Sequence, residues 1–488
     1  MAPILHYLYE YVKFNNLTTI FFIVIGIVLA FKLFPKIPLS LSKRTAFILI
    51  LVFGFSLRIA WLGYSAHMPM SHWNVTHMLE SDRINVHAIE LAQHGIWFHE
   101  QDGTPSGHRP IGYPIFLAIF YKIFGVNLIV AWILNLILYG LTIFFLFLIA
   151  EKIFGEKIAL IASLLFAIYP ISIYSIKLLI DEHLFLPLWY AGLFMLFLVL
   201  EGRKIKLDWF WFGLIFGYAT MTRTHTIFMP FIVGLTFFLL KRSWKEIMAK
   251  FILVILVMQM INLPWVIRNY RAWKVPVLYT ATAFYVYGAV NSTATPEGEG
   301  HVPRKGELGY SSEFEAAEQS GNEGLLHQVA NREMKKWIMS HPMQFLNLGV
   351  CRLLNFMCFN RKSGVWAIWH QYYPGSFDPS RPLPEKLRDI LEEYAFAFYY
   401  AVFFSWVFGS VILIRYWKTL SPLTQHTLIV LGGCFLFWFM EHMIIYPDRK
   451  YRFPLEPLML IASANFFYNL CWPQFLKTWF KKMLSFKT

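Results

Sequence analysis

The sequence predicts an all-α integral membrane protein with about 11 transmembrane helices, and three observations carry that expectation. Of the 488 residues, 57% are hydrophobic and only 15% are charged, whereas soluble domains run nearer ~25% charged. Apolar runs of about the length that crosses a bilayer recur along the chain. Lysine and arginine collect in the short loops between those runs. The 48 Phe, 25 Tyr and 18 Trp add more apolar surface than one or two soluble cores can hide, and lipid accepts it.

The runs fall at 17–34, 45–63, 126–150, 158–180, 183–200, 208–222, 226–240, 251–268, 395–414, 423–446 and 455–471. The first is followed by Phe31-Lys-Leu-Phe-Pro35 and not by a small-residue cleavage site, so it reads as a retained span. The pair 208–222 and 226–240 is short, with the polar turn Thr222-Arg223-Thr224-His225 between, and fits a tight helical hairpin. Basic residues mark one side: Lys36, Lys43, Arg44, Lys152, Lys157, Arg203, Lys204, Lys206, Lys241, Arg242, Lys245, Lys250, Arg415, Lys418 and the tail Lys477, Lys481, Lys482 and Lys487. That side is expected to be cytoplasmic. Eleven crossings, an outside N-terminus and an inside C-terminus are then self-consistent. The stretch 344–358, with Arg352 inside it, is expected to lie as a helix in the outer interface.

Four parts follow from this order. Residues 1–44 hold an extra N-terminal span, and 45–268 form a transmembrane core that includes a first outer loop, 64–125. Residues 269–394 form an outer segment with the interfacial helix, and 395–488 supply C-terminal helices and a basic tail. No internal repeat is evident. The net charge of +14 follows the loops, which argues against a nucleic-acid partner. Cys351, Cys358, Cys434 and Cys471 show neither CxxC spacing nor a disulfide framework and read as apolar packing residues.

Candidate chemistry sits where the outer loops meet the membrane. In the first loop, Glu80-Ser81-Asp82-Arg83 opens an amphipathic helix, with Ser81 as N-cap and Asp82 in its first turn. A carboxylate there either steadies the helix start or serves as a general base. Arg109-Pro-Ile-Gly-Tyr113-Pro114 leads to a short apolar run ending at Phe124-Gly125, expected as a half-buried helix. Asp181 and Glu182 form a second acidic element, either a solvated turn or a pair that orients an acceptor, holds a cation or tunes the base. Arg58, Arg223, Arg268, Arg271, Arg449, Lys450 and Arg452 lie at the same level, where each either snorkels or meets a phosphate.

Two further signals are weaker. His67, His72, His77, His87, His94, His99 and His108 crowd the first loop. Their spacing fits no zinc pattern, and only His87 and His94 share a helix face, so hydrogen-bonding histidines are the plainer reading. No cofactor is assigned, and a divalent cation stays open. Asn16, Asn74 and Asn291 open N-x-S/T triplets, which matter only in a secretory pathway.

Taken in order, these pieces resemble the GT-C glycosyltransferases that use polyprenyl-phosphate sugars, in particular the protein O-mannosyltransferases and the lipid A aminoarabinose transferases. The elements are Asp82 with its helix, Arg109 to Pro114, Glu182, Met221-Thr222-Arg223, Pro264-Trp265-Val-Ile-Arg268-Asn269-Tyr270, Asn291, His341-Pro342 and Tyr451-Arg452-Phe453-Pro454-Leu-Glu-Pro457. The resemblance implies Asp82 as base on the acceptor, Glu182 as the second-loop acid, and Arg268 and Arg452 near the donor phosphate. Arg58, Arg83, Arg109, Tyr113, Asp181, Arg223, Asn269 and Asn291 join them as expected substrate contacts. The chain departs from the pattern in reading Ser81-Asp82-Arg83 without a doubled acid, and in its extra first span.

The implied activity is inverting transfer of a sugar from a polyprenyl-phosphate donor to a hydroxyl on a lipid, glycan or protein. The implied place is the outer face of a bacterial inner membrane. A transporter or flippase of a lipid-linked glycan is the competing expectation. It asks for charged residues near the bilayer midplane and for symmetric halves.

Overall fold

The computed structural model describes residues 42–65, 80–95, 106–107, 109–296, 301–357, 385–445 and 449–471, with main chain alone at 80–83, 281–284, 385, 388, 449 and 470–471. The expected span 17–34, the basic tail, Asn16, Asn74, Cys358 and the histidines at 67, 72, 77, 99 and 108 lie outside these residues.

The described residues form helices and no strands. Those that build the bundle are α1 (Lys43–Ser65), α2 (Glu80–Gln93), α3 (Gly112–Phe124), α4 (Leu128–Phe154), α5 (Glu156–Ala167), α6 (Pro170–Tyr174), α7 (Glu182–Leu200), α8 (Asp208–Thr222), α9 (Met229–Leu239) and α10 (Trp244–Trp273). A side segment follows with α11 (Ala281–Ala289), α12 (Ser312–Gln319), α13 (Glu323–Ser340) and α14 (Pro342–Met357). Three helices close the chain: α15 (Glu385–Arg415), α16 (Pro422–Ile444) and α17 (Glu456–Cys471).

Among the described residues, six helices are long and apolar enough to cross a membrane: α1, α4, α7, α10, Asp389–Arg415 within α15, and α16. The pair α5 and Pro170–Lys177 makes a seventh if counted as one span, bent by 52°. Tyr169 at the break is extended and precedes Pro170, the geometry that a following proline imposes. The expected count of eleven is therefore not reached among the described residues. The runs at 208–222, 226–240 and 455–471 give shorter helices.

Lipid-facing stripes are plain on the long helices. Ile129, Ile133, Ile137 and Leu141 recur every fourth residue of α4 and are 43–56% exposed, which water would penalise and hydrocarbon does not. Inside, α8 lies close on α10. A Cβ at Gly213 would meet the Val257 side chain at 2.4 Å, and one at Gly217 would meet the Met258 Cα at 3.0 Å. These glycines, four apart, let the two backbones approach as small residues do between membrane helices. Capping is regular: Asn127 caps α4, and Ser243 caps α10 with Glu246 at its third position. Cys351 and Cys434 are buried free thiols.

The two ends of the bundle differ in charge. Lys43 pairs with Glu151 at 2.6 Å, Lys152 with Glu201 at 2.7 Å, and Lys250 with Asp208. All three pairs close the end where the basic loops collect. The chemistry-bearing residues gather at the other end.

Candidate active site

The Glu182 end is built from helix termini. α7 starts at Glu182, α8 stops at Thr222, and a 3-10 turn, Thr224–Phe228, joins α8 to α9. α16 ends at Ile444, and a second 3-10 turn, Arg449–Arg452, leads to α17.

Glu182 and Arg223 form a buried ion pair, with side chains 1% and 8% exposed. Arg223 also lies over the Tyr451 ring, 5.0 Å from its centroid. His225 Nδ1 is hydrogen-bonded to Glu441 Oε2 at 2.7 Å. The His225 ring packs on Trp438 at 4.3 Å and faces His442 at 5.6 Å and Tyr451 at 6.2 Å. Two carboxylates, one guanidinium and two imidazoles thus form one cluster with aromatic rings at this end of the bundle. Taking charges out of water is costly unless each is matched, so this grouping is more than a set of snorkelling side chains.

Asp181 lies beside a second group. Tyr113 donates to Asn135 Oδ1 at 2.5 Å, and Asn135 donates to the carbonyls of Ile176 and Leu178 at 3.0 Å each. Burial, with the charge of Asp181 adding, pushes the hydroxyl of Tyr279 well above the ordinary tyrosine range. The same two causes, with Tyr121 between them in size, act on Tyr113. Both hydroxyls therefore stay protonated near the Asp181 carboxylate. Arg109 is half-buried just before α3.

The Pro-Trp-x-x-Arg-Asn element ends α10. Arg268 donates to Ser106 O at 2.7 Å and to Asn269 Oδ1 at 2.9 Å, and sits 4.5 Å from the Trp265 ring centroid and 5.3 Å from that of Trp273. Asn269 donates to the carbonyls of Val277 and Leu278, both at 3.0 Å. Glu323, at the start of α13, accepts from Gly107 N at 2.9 Å and from Thr280 Oγ1. The end of the first loop, the end of α10 and the side segment are tied together here.

α2 begins at Glu80, so Ser81 lies inside the helix and is not its N-cap, while Asp82 falls in the first turn. Ile84 and Ala88 of α2 pack on Tyr113, Leu117 and Tyr121 of α3, and Tyr121 donates to Asn85 Oδ1 at 2.7 Å. The side chains of Asp82 and Arg83 lie outside the described residues.

Three expected substrate contacts have their polar groups turned into the protein. Arg58 is fully buried and donates to the carbonyls of Gly54, Phe166 and Ala167 and to Ser172 Oγ, with Tyr139 beneath it at 3.5 Å. It fastens α1 to the α5–α6 bend. Arg452 bonds Glu456 at 2.7 Å and Phe356 O at 2.5 Å. Asn291 donates to Tyr287, Gly288 and His301 carbonyls and accepts from Thr293, which makes a tight turn. His225, Glu441 and His442 were not singled out by sequence. The acidic and basic pair Glu441-His442, at the close of an apolar run, was the signal available. No group of three or more metal-ligating side chains occurs among the described residues.

Residues 108–267 match the family model of dolichyl-phosphate-mannose-protein mannosyltransferases. The GT-C resemblance read from the sequence holds over that stretch. No curated protein matches the chain. Among solved structures, the chain is similar to the oligosaccharyltransferase AglB of Archaeoglobus fulgidus in complex with an inhibitory peptide and a dolichol-phosphate. Identity is 14% and the TM-score 0.46, over 87% of this chain and 50% of that one. It is also similar to ArnT of Cupriavidus metallidurans bound to undecaprenyl phosphate, at 13% identity and TM-score 0.40, over 86% of this chain and 77% of that one. The chain thus spans about half the length of the archaeal enzyme it matches. The matched family is one of mannosyltransferases, and the apolar helices make this chain an integral membrane protein.

Proposed function

We propose that this chain moves a sugar from a polyprenyl-phosphate donor to a hydroxyl on a lipid, glycan or protein. The reaction takes place at the end of the bundle opposite the basic loops. The observation that carries the reading is the buried Glu182–Arg223 pair at that end, within the stretch that matches the mannosyltransferase family. By the charge of its loops, the site faces away from the cytoplasm, and the resemblance makes that side the periplasm or exterior of a bacterial inner membrane.

The chemistry asks for little machinery. A hydroxyl attacks the anomeric carbon, Asp82 takes its proton, and the lipid phosphate leaves with inversion. Developing charge on the phosphate needs fixed cations in a dry site. Arg268, half-buried between two indole rings, and Arg223 suit that task better than Arg58 and Arg452, which are 0% and 2% exposed. Glu182 holds Arg223, and Asp181 with Tyr113 offers acceptor contacts. Tyr279 keeps the Asp181 side polar, and Asn269 fixes the loop beneath Arg268.

Purified protein supplied with membrane lipid extract tests this, with mass spectrometry following loss of lipid-phosphate sugar and gain of product. Native protein should transfer sugar, and folded Asp82→Asn should slow it by roughly 10²–10⁴-fold. Equal transfer by both would remove Asp82 from the mechanism. Passage of intact donor across reconstituted bilayers without transfer would favour a flippase.

A further inference from the structure

His225 stands apart from the residues that the resemblance brings forward. It occupies the turn after α8, two residues beyond Arg223, and only 7% of it is exposed. Its Nδ1 faces Glu441 Oε2 at 2.7 Å, a bond in which the imidazole is the donor. Among the described residues, nothing is hydrogen-bonded to its Nε2. A carboxylate therefore fixes one nitrogen and leaves the other for a ligand.

Charges gather around it. Glu182 and Glu441 bring two negative charges, and Arg223 brings one positive charge. The rings of His442 and Tyr451 face it as well. His442 Nδ1 donates to Trp438 O at 2.8 Å. Tyr451 meets both imidazole rings at an angle, edge-on to His225 and tilted against His442. Lys450 lies 5.3 Å from the Tyr451 ring and is only half-buried, so water screens it. A buried net charge is expensive. A cationic imidazole at His225 matches the second carboxylate and carries Nε2–H as a second charged donor beside Arg223. With Trp438 and Tyr451 excluding water, such a charge-assisted bond gains strength.

We propose that His225, oriented by Glu441, is a phosphate-binding residue that donates its Nε2–H to a phosphate oxygen of the lipid-linked ligand next to Arg223. This rests on the lipid-phosphate reading above and adds a second donor to the phosphate.

The probe is a short-chain prenyl-phosphoryl mannose, a diester that carries one negative charge, with the phosphate-free prenyl mannoside as control. Binding to the full-length protein in detergent is measured for both. His225→Gln should bind the diester roughly tenfold or more weakly, as expected for the loss of one charge-assisted bond, and should bind the control as the native protein does. Glu441→Gln, which keeps the imidazole but frees its Nδ1, should lose part of the same affinity. If His225→Gln fails to fold, Glu441→Gln decides, and an unchanged affinity for the diester overturns the proposal. Equal affinity of native and His225→Gln for the diester, or an equal loss for the control, would also overturn it while leaving the lipid-phosphate reading intact. Failure of the native protein to bind the diester would sink that reading and this contact together.

Discussion

The two ends of the bundle handle charge in opposite ways. At the basic end, the Lys43–Glu151 pair has side chains 42% and 24% exposed, and Lys152–Glu201 has 26% and 19%. At the other end, Glu182–Arg223 has 1% and 8%, and Arg452–Glu456 has 2% and 6%. Solvated pairs contribute little to stability and serve to fix which side of the membrane they occupy. Desolvated pairs are a liability to folding unless every charge is matched. Among the described residues, the two pairs with both side chains under 10% exposed lie at that end, whereas Lys250–Asp208 at the basic end keeps its side chains 22% and 10% exposed.

Breaking one partner on each side should separate the two regimes most sharply. Arg223→Leu strands the buried Glu182 and should cost about 3–5 kcal/mol, with sugar transfer lost. Lys43→Ala should cost below about 1 kcal/mol and leave transfer unchanged. Thermal unfolding in detergent reads both, and equal losses would erase the distinction between the ends. A smaller effect is expected where the site end is packed most closely. A Cβ at Gly112 would meet the Met221 carbonyl carbon and the Thr222 nitrogen, each at 2.8 Å. Neither main-chain atom can swing aside. Gly112→Ala should therefore separate α3 from the end of α8 and destabilise by about 1–3 kcal/mol, and an unchanged melting temperature would show that this approach is loose.

The smallest effect concerns the side segment. His327 Nδ1 donates to Thr280 O at 3.2 Å, and Asn331 Nδ2 donates to its Nε2 at 2.9 Å. Burial holds its pKa below the ordinary histidine value, with the Thr280 bond opposing. The neutral form is therefore the folded one. Its stabilising contribution is complete above the unfolded-state pKa of about 6.5 and is lost as pH falls below that, toward the depressed folded value. Melting followed from pH 7.5 to 5 should show a decline that His327→Gln lacks. A parallel decline in both would place the acid sensitivity elsewhere.

Much of the fold was legible in advance because its signal is local. Runs 45–63, 126–150 and 183–200 became α1, α4 and α7, since a helix in lipid needs only a continuous apolar stretch. The stretch 344–357 became part of a helix, α14. Where length fell short, as at 208–222 and 226–240, the chain formed shorter helices, packed through Gly213 and Gly217 on α10 in the first case. The site was only partly legible. Glu182 and Arg223 were singled out separately, as an acid and a base at helix ends, yet they lie 41 residues apart and nothing in the sequence pairs them. Arg58 looked the same as Arg223 by position, and only the bend at Pro170 brings the Phe166 and Ala167 carbonyls onto its guanidinium.

The sequence alone determined that the chain lives in a membrane, which side its basic loops mark, and which residue types gather opposite them. Hydropathy and loop charge act residue by residue against a fixed solvent, so they can be read without a fold. The tertiary structure decided which charges are matched and which donors are consumed. His225 and Glu441 are 216 residues apart and meet only because α16 packs beside the turn after α8. Pairing in a low-dielectric interior depends on distances of a few ångströms between helices, and no local pattern in the chain encodes them.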